Sequence, residues 1–270
     1  MSTPMVLLAA GMGSRFGGPK QLVPVRPDGA SLLGIAAEEA VGAGFDHLVI
    51  VTRSELVDQV NAMLDLTAPS IQRTIVLQDK YGTPRDKPWG TAHAIAACAD
   101  ALHEPFGIAN ADDHYGAESF VALKALLSEE HGGIVAFPIR ATLSANGAVT
   151  RGLVQTENHV LVDIDERGGL HVDGSRILDG AGAVISDDAV VSMNLWALPS
   201  RVAAELVGIV EGFVDSHGDD PGAECLLPTE IGQMVEDDQL EVRVVDTTSS
   251  WAGLTHPDDL EPLRKRFAAL

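Results

Sequence analysis

At 270 residues, 46% of them hydrophobic, the chain can bury a sizeable core as one large α/β domain or two small ones. Lys and Arg number 18 against 39 Asp and Glu, a formal net charge of −21 that argues against nucleic acid or an anionic membrane surface as a partner. Two cysteines are too few for a disulfide framework, no apolar run approaches a membrane span and the N-terminus lacks an apolar signal segment, so a reducing cytoplasmic setting is expected.

From Met5 to Ala10 the chain is apolar and too short for anything but a buried strand. Gly11, Gly13, Gly17 and Gly18 follow, a backbone free to expose its N–H groups, with Arg15 and Lys20 as the nearby cations. Such a loop suits phosphate. It is neither of two familiar phosphate loops: Phe16 stands where the dinucleotide fingerprint needs its third glycine, and Pro19 stands where a Walker A lysine belongs. A negative protein that binds a negative substrate needs a local exception, and Met1 to Pro27 supplies one, with Arg15, Lys20 and Arg26 and no acid. A second acid-free stretch, His131 to Thr156, carries Arg140 and Arg151.

Ser31 to Gly44 has helical spacing, with Ser31 as its cap. The strand His47–Thr52, a helix from Ser54 to about Asp65 and the strand Thr74–Gln78 continue an alternation that predicts a doubly wound, mostly parallel sheet. Asp79 to Pro88 breaks it as a loop, and Trp89 opens a helix to about His103 that holds Cys98 as a buried thiol and His93 as a packed or capping residue. The strand Phe106–Ala109 then delivers Asn110-Ala111-Asp112-Asp113-His114-Tyr115-Gly116 at its carboxyl end, where ligands bind in open α/β sheets. An aspartate pair there can hold a hard divalent cation or cap the next helix. That helix spans Glu118 to about Glu130, before the strand Gly133–Ile139.

Beyond Thr142 the pieces become more extended. Gly168–Gly182 reads as an edge hairpin or loop and Ala189–Leu198 as a strand. Helices are expected over Ser200–Ser216 and around Cys225–Val235, the second interrupted by Pro228. A strand over Leu240–Thr247 and a last helix led by Pro257, Asp258 and Asp259 complete the chain.

Leu8-Ala9-Ala10-Gly11-Met12-Gly13-Ser14-Arg15, followed by Pro19-Lys20, resembles the signature of the sugar-phosphate nucleotidyltransferases. The resemblance implies a Rossmann-like, GT-A-type fold with a smaller mixed or antiparallel sugar-binding subregion. The whole chain would be one nucleotidyltransferase domain, with residues 1–140 as its nucleotide-binding half and 141–270 as its acceptor-binding half. The reaction implied passes a nucleotidyl group from a nucleoside triphosphate to a sugar 1-phosphate with Mg²⁺ as cofactor, giving an NDP-sugar and pyrophosphate. Arg15, Lys20 and Asp112 would be catalytic, with Asp112 on the metal. Leu8, Ala9, Ala10, Gly11, Gly13, Ser14, Gln78, Gly90 and Thr91 would bind the nucleotide. Gly152, Glu166, Arg167 and Asn194 would meet the sugar phosphate. Leu227-Pro228-Thr229-Glu230 resembles a segment that lines the acceptor pocket in some relatives.

Trp251 to Leu260 resembles the family's C-terminal motif but carries Gly253 in place of its metal-binding aspartate. Asp246 is the nearest carboxylate on the preceding strand and becomes the candidate second metal ligand. Two alternatives follow: a phospho-alcohol or cyclitol phosphate as acceptor, or a nucleotide-binding regulatory protein that has lost catalysis. The nucleobase, the acceptor, the direction of reaction and any homo-oligomeric assembly are left open.

Overall fold

The computed structural model describes residues 2–11, 13, 16–144, 147–254 and 257–269. The first half builds β1 (Pro4–Leu8), α1 (Leu32–Gly42), β2 (His47–Thr52), α2 (Val57–Thr67), β3 (Gln72–Leu77), α3 (Thr91–Ala96), β4 (Phe106–Asn110), the short β5 (Asp113–His114), α4 (Ala117–Ala125) and β6 (Gly132–Pro138). The second half adds β7 (Val149–Glu157), β8 (Val160–Asp173), β9 (Arg176–Leu178), β10 (Val184–Ile185), β11 (Val190–Leu198), α5 (Ser200–His217), α6 (Leu227–Glu236), β12 (Val242–Asp246), β13 (Ala252–Gly253) and α7 (Leu260–Ala268).

Among the described residues one 11-stranded sheet runs in the order β10-β9-β8-β12-β6-β11-β4-β1-β2-β3, with β7 against β11 and β8. β1 and β2 are covered on both faces, which is why they read as unbroken apolar runs. One face packs residues of α1, α2 and α4, among them Leu33, Leu64 and Phe120; the other packs residues of α3, α5 and α6, among them Ile95, Leu206 and Ile231. Helices on both sides match the doubly wound expectation.

The sheet is mixed rather than mostly parallel. Only β3-β2-β1-β4 and the β12-β6 pair run parallel, and β11 lies antiparallel between β4 and β6. One of the antiparallel pairs has a local cause: β7 and β8 are joined at Asn158 and His159, both with positive φ (53° and 62°), a connection that permits only antiparallel return.

Local signals hold where the chemistry is local. The Ser31 hydroxyl accepts from the Gly34 N–H and caps α1. Pro228 falls in the first turn of α6 and starts that helix instead of interrupting it. α3 is shorter than expected, tightening into a 3₁₀ turn at Ala99–Ala101. α4 ends at Ala125, five residues before Glu130, and the Glu129 carboxylate accepts from the backbone N–H and hydroxyl of Ser200, closing the first turn of α5.

Candidate functional site

The carboxyl ends of β1 and β4 lie side by side, because Leu8 pairs with Asn110 in parallel register. Two cavities open above them. The first, about 570 Å³, is lined by Leu8, Ala10, Gly11, Gln78, Gly90 and Thr91 together with Asn110 and Asp112. The second, about 360 Å³, is lined by Gly152, Glu166 and Asn194 together with Ile164, Pro228 and Thr229. Thr91 and Asn110 are the described residues common to both walls.

Lys20 and Asp112 meet at the first cavity. Lys20 Nζ lies 2.5 Å from Asp112 Oδ2 and donates to the Leu254 carbonyl at 2.6 Å, and both side chains are about a quarter exposed at 22% and 26%. Phe16, Gly17 and Gly18 turn their N–H groups onto the Gly13 carbonyl, folding the end of the glycine loop on itself. Ser14 and Arg15 lie outside the described residues. Ala9 departs from expectation: it is buried behind the wall, its N–H engaged by the Val51 carbonyl and its own carbonyl by the Gln21 amide.

Gln78 is held firmly. Its Nε2 donates to the Gly90 carbonyl at 2.9 Å and to His93 Nδ1 at 3.2 Å. Burial pushes the His93 pKa down, so the ring is neutral and its Nδ1 can accept. His93 is thus a packed residue with a task, the orientation of Gln78. The loop before α3 is strapped to the segment before α6 beside the cavity: the Arg85 guanidinium lies 4.1 Å from the Trp89 ring centroid and donates to the Ala223 and Pro221 carbonyls, while Lys87 pairs with Glu224 at 3.0 Å.

Asp113 sits directly behind Asp112. It is buried, accepts from Asn110 Nδ2 at 3.0 Å, and its carboxyl is pushed up to about 7, first by burial and then by the neighbouring Asp112. β13 pairs with β5 so that Gly253 faces Asp113, and a Cβ on Gly253 would stand 2.5 Å from Asp113 Oδ1 and 2.5 Å from the Trp251 ring. The side chain of Asp113 therefore fills the space a side chain at 253 would need. Gly253→Ala is expected to destabilise the protein by about 2 kcal/mol, since both the carboxylate and the indole would have to shift to admit the methyl group. Denaturant unfolding checks this; an unchanged midpoint would mean the two strands are not packed this way.

Two other expectations are corrected. Arg167 does not line the second cavity: its guanidinium is engaged by Asp165 at 2.7 Å and Asp179 at 3.1 Å. Asp246 is exposed at the end of β12, with β6 and β11 between it and β4; at ~4.8 Å per strand the two strand ends stand about 14 Å apart. It is not brought to Asp112. Sequence reasoning missed Asn110 and Arg151. Arg151 lies in the wall of the second cavity and its guanidinium stacks over Trp251 at 5.1 Å. Its place in an acid-free stretch was the available signal; Asn110 gave none beyond its position at a strand end.

The site can now be set beside known proteins. No curated protein matches the sequence. Solved structures do match over nearly the full length. The inositol-1-phosphate CTP transferase from T. maritima is 18% identical with a TM-score of 0.68, covering 98% of this chain and 96% of that one. A UDP-glucose pyrophosphorylase complexed with UDP-glucose is 16% identical with a TM-score of 0.66, covering 100% and 99%. At these identities the likeness establishes the fold, an α/β type shared with nucleotidyltransferases. A model of the MobA-like NTP transferase domain matches residues 5–141, which takes in the glycine loop, Gln78, α3 and the Asp112 segment. With that match over half of the chain, the protein belongs to the MobA-like NTP transferase family and is a nucleotidyltransferase.

Proposed function

We propose that the protein transfers a nucleotidyl group from a nucleoside triphosphate to a sugar 1-phosphate, giving an NDP-sugar and pyrophosphate. The observation that carries this reading is the pair of cavities that share Thr91 and Asn110 at the strand ends, one for each substrate. The acceptor phosphate is already ionised, so no general base is required. Its oxygen attacks the α phosphorus in line, and pyrophosphate leaves with the bonding electron pair. Catalysis is positioning and charge stabilisation, with Lys20 and Arg15 on the phosphates.

The first cavity takes the nucleotide, with Leu8, Ala10 and Gly90 against the base. Both amide hydrogens of Gln78 are engaged, so Gln78 offers its oxygen to a base N–H. Asp112 suits Mg²⁺: it is a hard oxygen ligand, partly exposed on the cavity wall, and a cation bridging phosphates needs one or two carboxylates and water. A Mg²⁺ ion held by Asp112 would draw its remaining ligands from phosphate oxygens and water. Mg²⁺ held there would neutralise charge on the triphosphate. Gly253 alone does not argue for lost catalysis, because Asp112 still presents a carboxylate to the first cavity.

The second cavity takes the sugar phosphate, with Glu166 accepting from sugar hydroxyls and the Gly152 amide and Asn194 beside it. Glu166→Ala is expected to raise KM for the acceptor on the order of tenfold while kcat and the triphosphate KM change little, the pattern of a lost ground-state contact. A rise confined to the triphosphate KM would reassign the cavities.

A cyclitol phosphate acceptor is the second reading, favoured by the likeness to an inositol-1-phosphate CTP transferase. Pyrophosphate release with five triphosphates (ATP, GTP, CTP, UTP and dTTP), each against hexose 1-phosphates and inositol 1-phosphate, tests both. One pair well above the rest is expected. Triphosphate binding without release from any pair would leave a regulatory protein instead.

A further inference from the structure

Behind the meeting point of the two cavities runs a chain of hydrogen bonds with only one possible direction. It begins at Trp196, fully buried in β11, whose indole N–H can only donate. Trp196 Nε1 donates to Asn194 Oδ1 at 3.0 Å. The Asn194 amide must then present its nitrogen on the other side, and Asn194 Nδ2 donates to Asn110 Oδ1 at 2.8 Å. Asn110 in turn gives Nδ2 to Asp113 Oδ2 at 3.0 Å. A donor-only group at one end thus sets which way both amides face.

The backbone is shaped to make this contact. β11 slips register between Ser192 and Trp196, and Asn194 takes φ 62°, a left-handed conformation that asparagine tolerates better than most residues. Asn110 is anchored as well, since its backbone N–H donates to the Tyr115 hydroxyl at 3.0 Å, and that hydroxyl donates to the Met193 carbonyl at 2.9 Å. Among the described residues, each asparagine retains one amide hydrogen without a partner. Asn194 lines the acceptor cavity and Asn110 lines both.

We infer that Asn110 is a catalytic residue, its remaining Nδ2 hydrogen donating to a non-bridging oxygen of the phosphoryl group in transfer, and that Asn194 and Trp196 are the residues that position it. The inference rests on the nucleotidyl transfer proposed above. In that step the bond from the acceptor oxygen to the α phosphorus forms, the bond to pyrophosphate breaks, and Asn110 gains or loses no proton. It supplies a neutral, preoriented donor where negative charge accumulates, at the one place both substrates must reach.

The test compares kinetics and melting of four variants with the triphosphate and acceptor pair that the wild type uses best. Asn110→Asp keeps the shape but turns a donor into an anion, and Asn110→Ala deletes it; both are expected to lower kcat about a hundredfold or more, with the triphosphate KM within about threefold of wild type. Trp196→Phe removes the direction-setting donor, and Asn194→Gly removes the relay while keeping the left-handed backbone. Either is expected to lower kcat about tenfold, at temperatures well below its own melting transition. A wild-type kcat in Asn110→Asp, or a defect confined to KM, overturns the catalytic role. Full kcat in both Trp196→Phe and Asn194→Gly overturns the positioning. Asn194→Gly decides this even if Trp196→Phe does not fold. A wild type that releases no pyrophosphate with any pair overturns the parent reading together with this one, whereas an active wild type with an unimpaired Asn110→Asp overturns this one alone.

Discussion

Asp112→Asn is expected to reduce Mg²⁺-dependent pyrophosphate release by at least about a thousandfold while leaving the fold intact, because it removes the only acidic side chain that the described strand end turns into the nucleotide cavity. The isosteric amide can still accept from Lys20, so the loop contact at Leu254 survives and the melting temperature should move little. Asp113→Asn should be milder in activity, since its amide oxygen can still accept from Asn110. The order of the two defects is the measurement. If Asp113→Asn proves the more damaging, the metal segment is displaced by one residue from the assignment made above.

Gly90→Ala is expected to damage stability and nucleotide affinity together. Gly90 holds φ 108°, and a Cβ there would stand 2.3 Å from the Cys225 carbonyl oxygen and 2.9 Å from its backbone nitrogen. Neither neighbour can yield, because Cys225 N donates to the Trp89 carbonyl at 2.7 Å and Ala92 N to the Cys225 carbonyl at 3.0 Å. Strain and overlap together should cost about 3 kcal/mol or more, a fall in melting temperature of roughly 10 °C for a chain of this size. The Gly90 carbonyl also orients Gln78, so KM for the triphosphate should rise in the same variant. A variant that melts like wild type would show that α3 and the segment before α6 are not pressed together as described.

What could be read in the sequence was whatever depends on neighbours in the chain. β1, β2 and β4 are continuous apolar runs bounded by turns, and Ser31 announces α1; each lies within two residues of expectation. The glycine loop, Gln78, Gly90 and Thr91 were legible through a motif, and Leu8, Ala10, Gly11, Gln78, Gly90 and Thr91 line the first cavity. Tertiary pairing was not legible. Nothing near Asp246 tells that two strands separate it from Asp112, and nothing near Arg167 tells that Asp179, a dozen residues on, will engage it. The role of Gly253 was half legible: the missing aspartate was visible, but that Asp113 reaches into its space depends on the pairing of β13 with β5.

The insertion of β11 between β4 and β6 bears on how the protein is made. Val190, which opens β11, follows Asn110 by 80 residues, so at roughly 5–20 residues per second several seconds of synthesis separate β4 from its antiparallel partner. Over that interval the nascent chain carries β4 and β6 as open strand edges, and the face that will receive Trp196 is without its largest side chain. The N-terminal half therefore leaves the ribosome as a sheet that cannot close. Holdase chaperones that recognise exposed β edges would act in this window, and slowing translation over residues 110–190 would lower the soluble yield more than the same delay placed after Leu198.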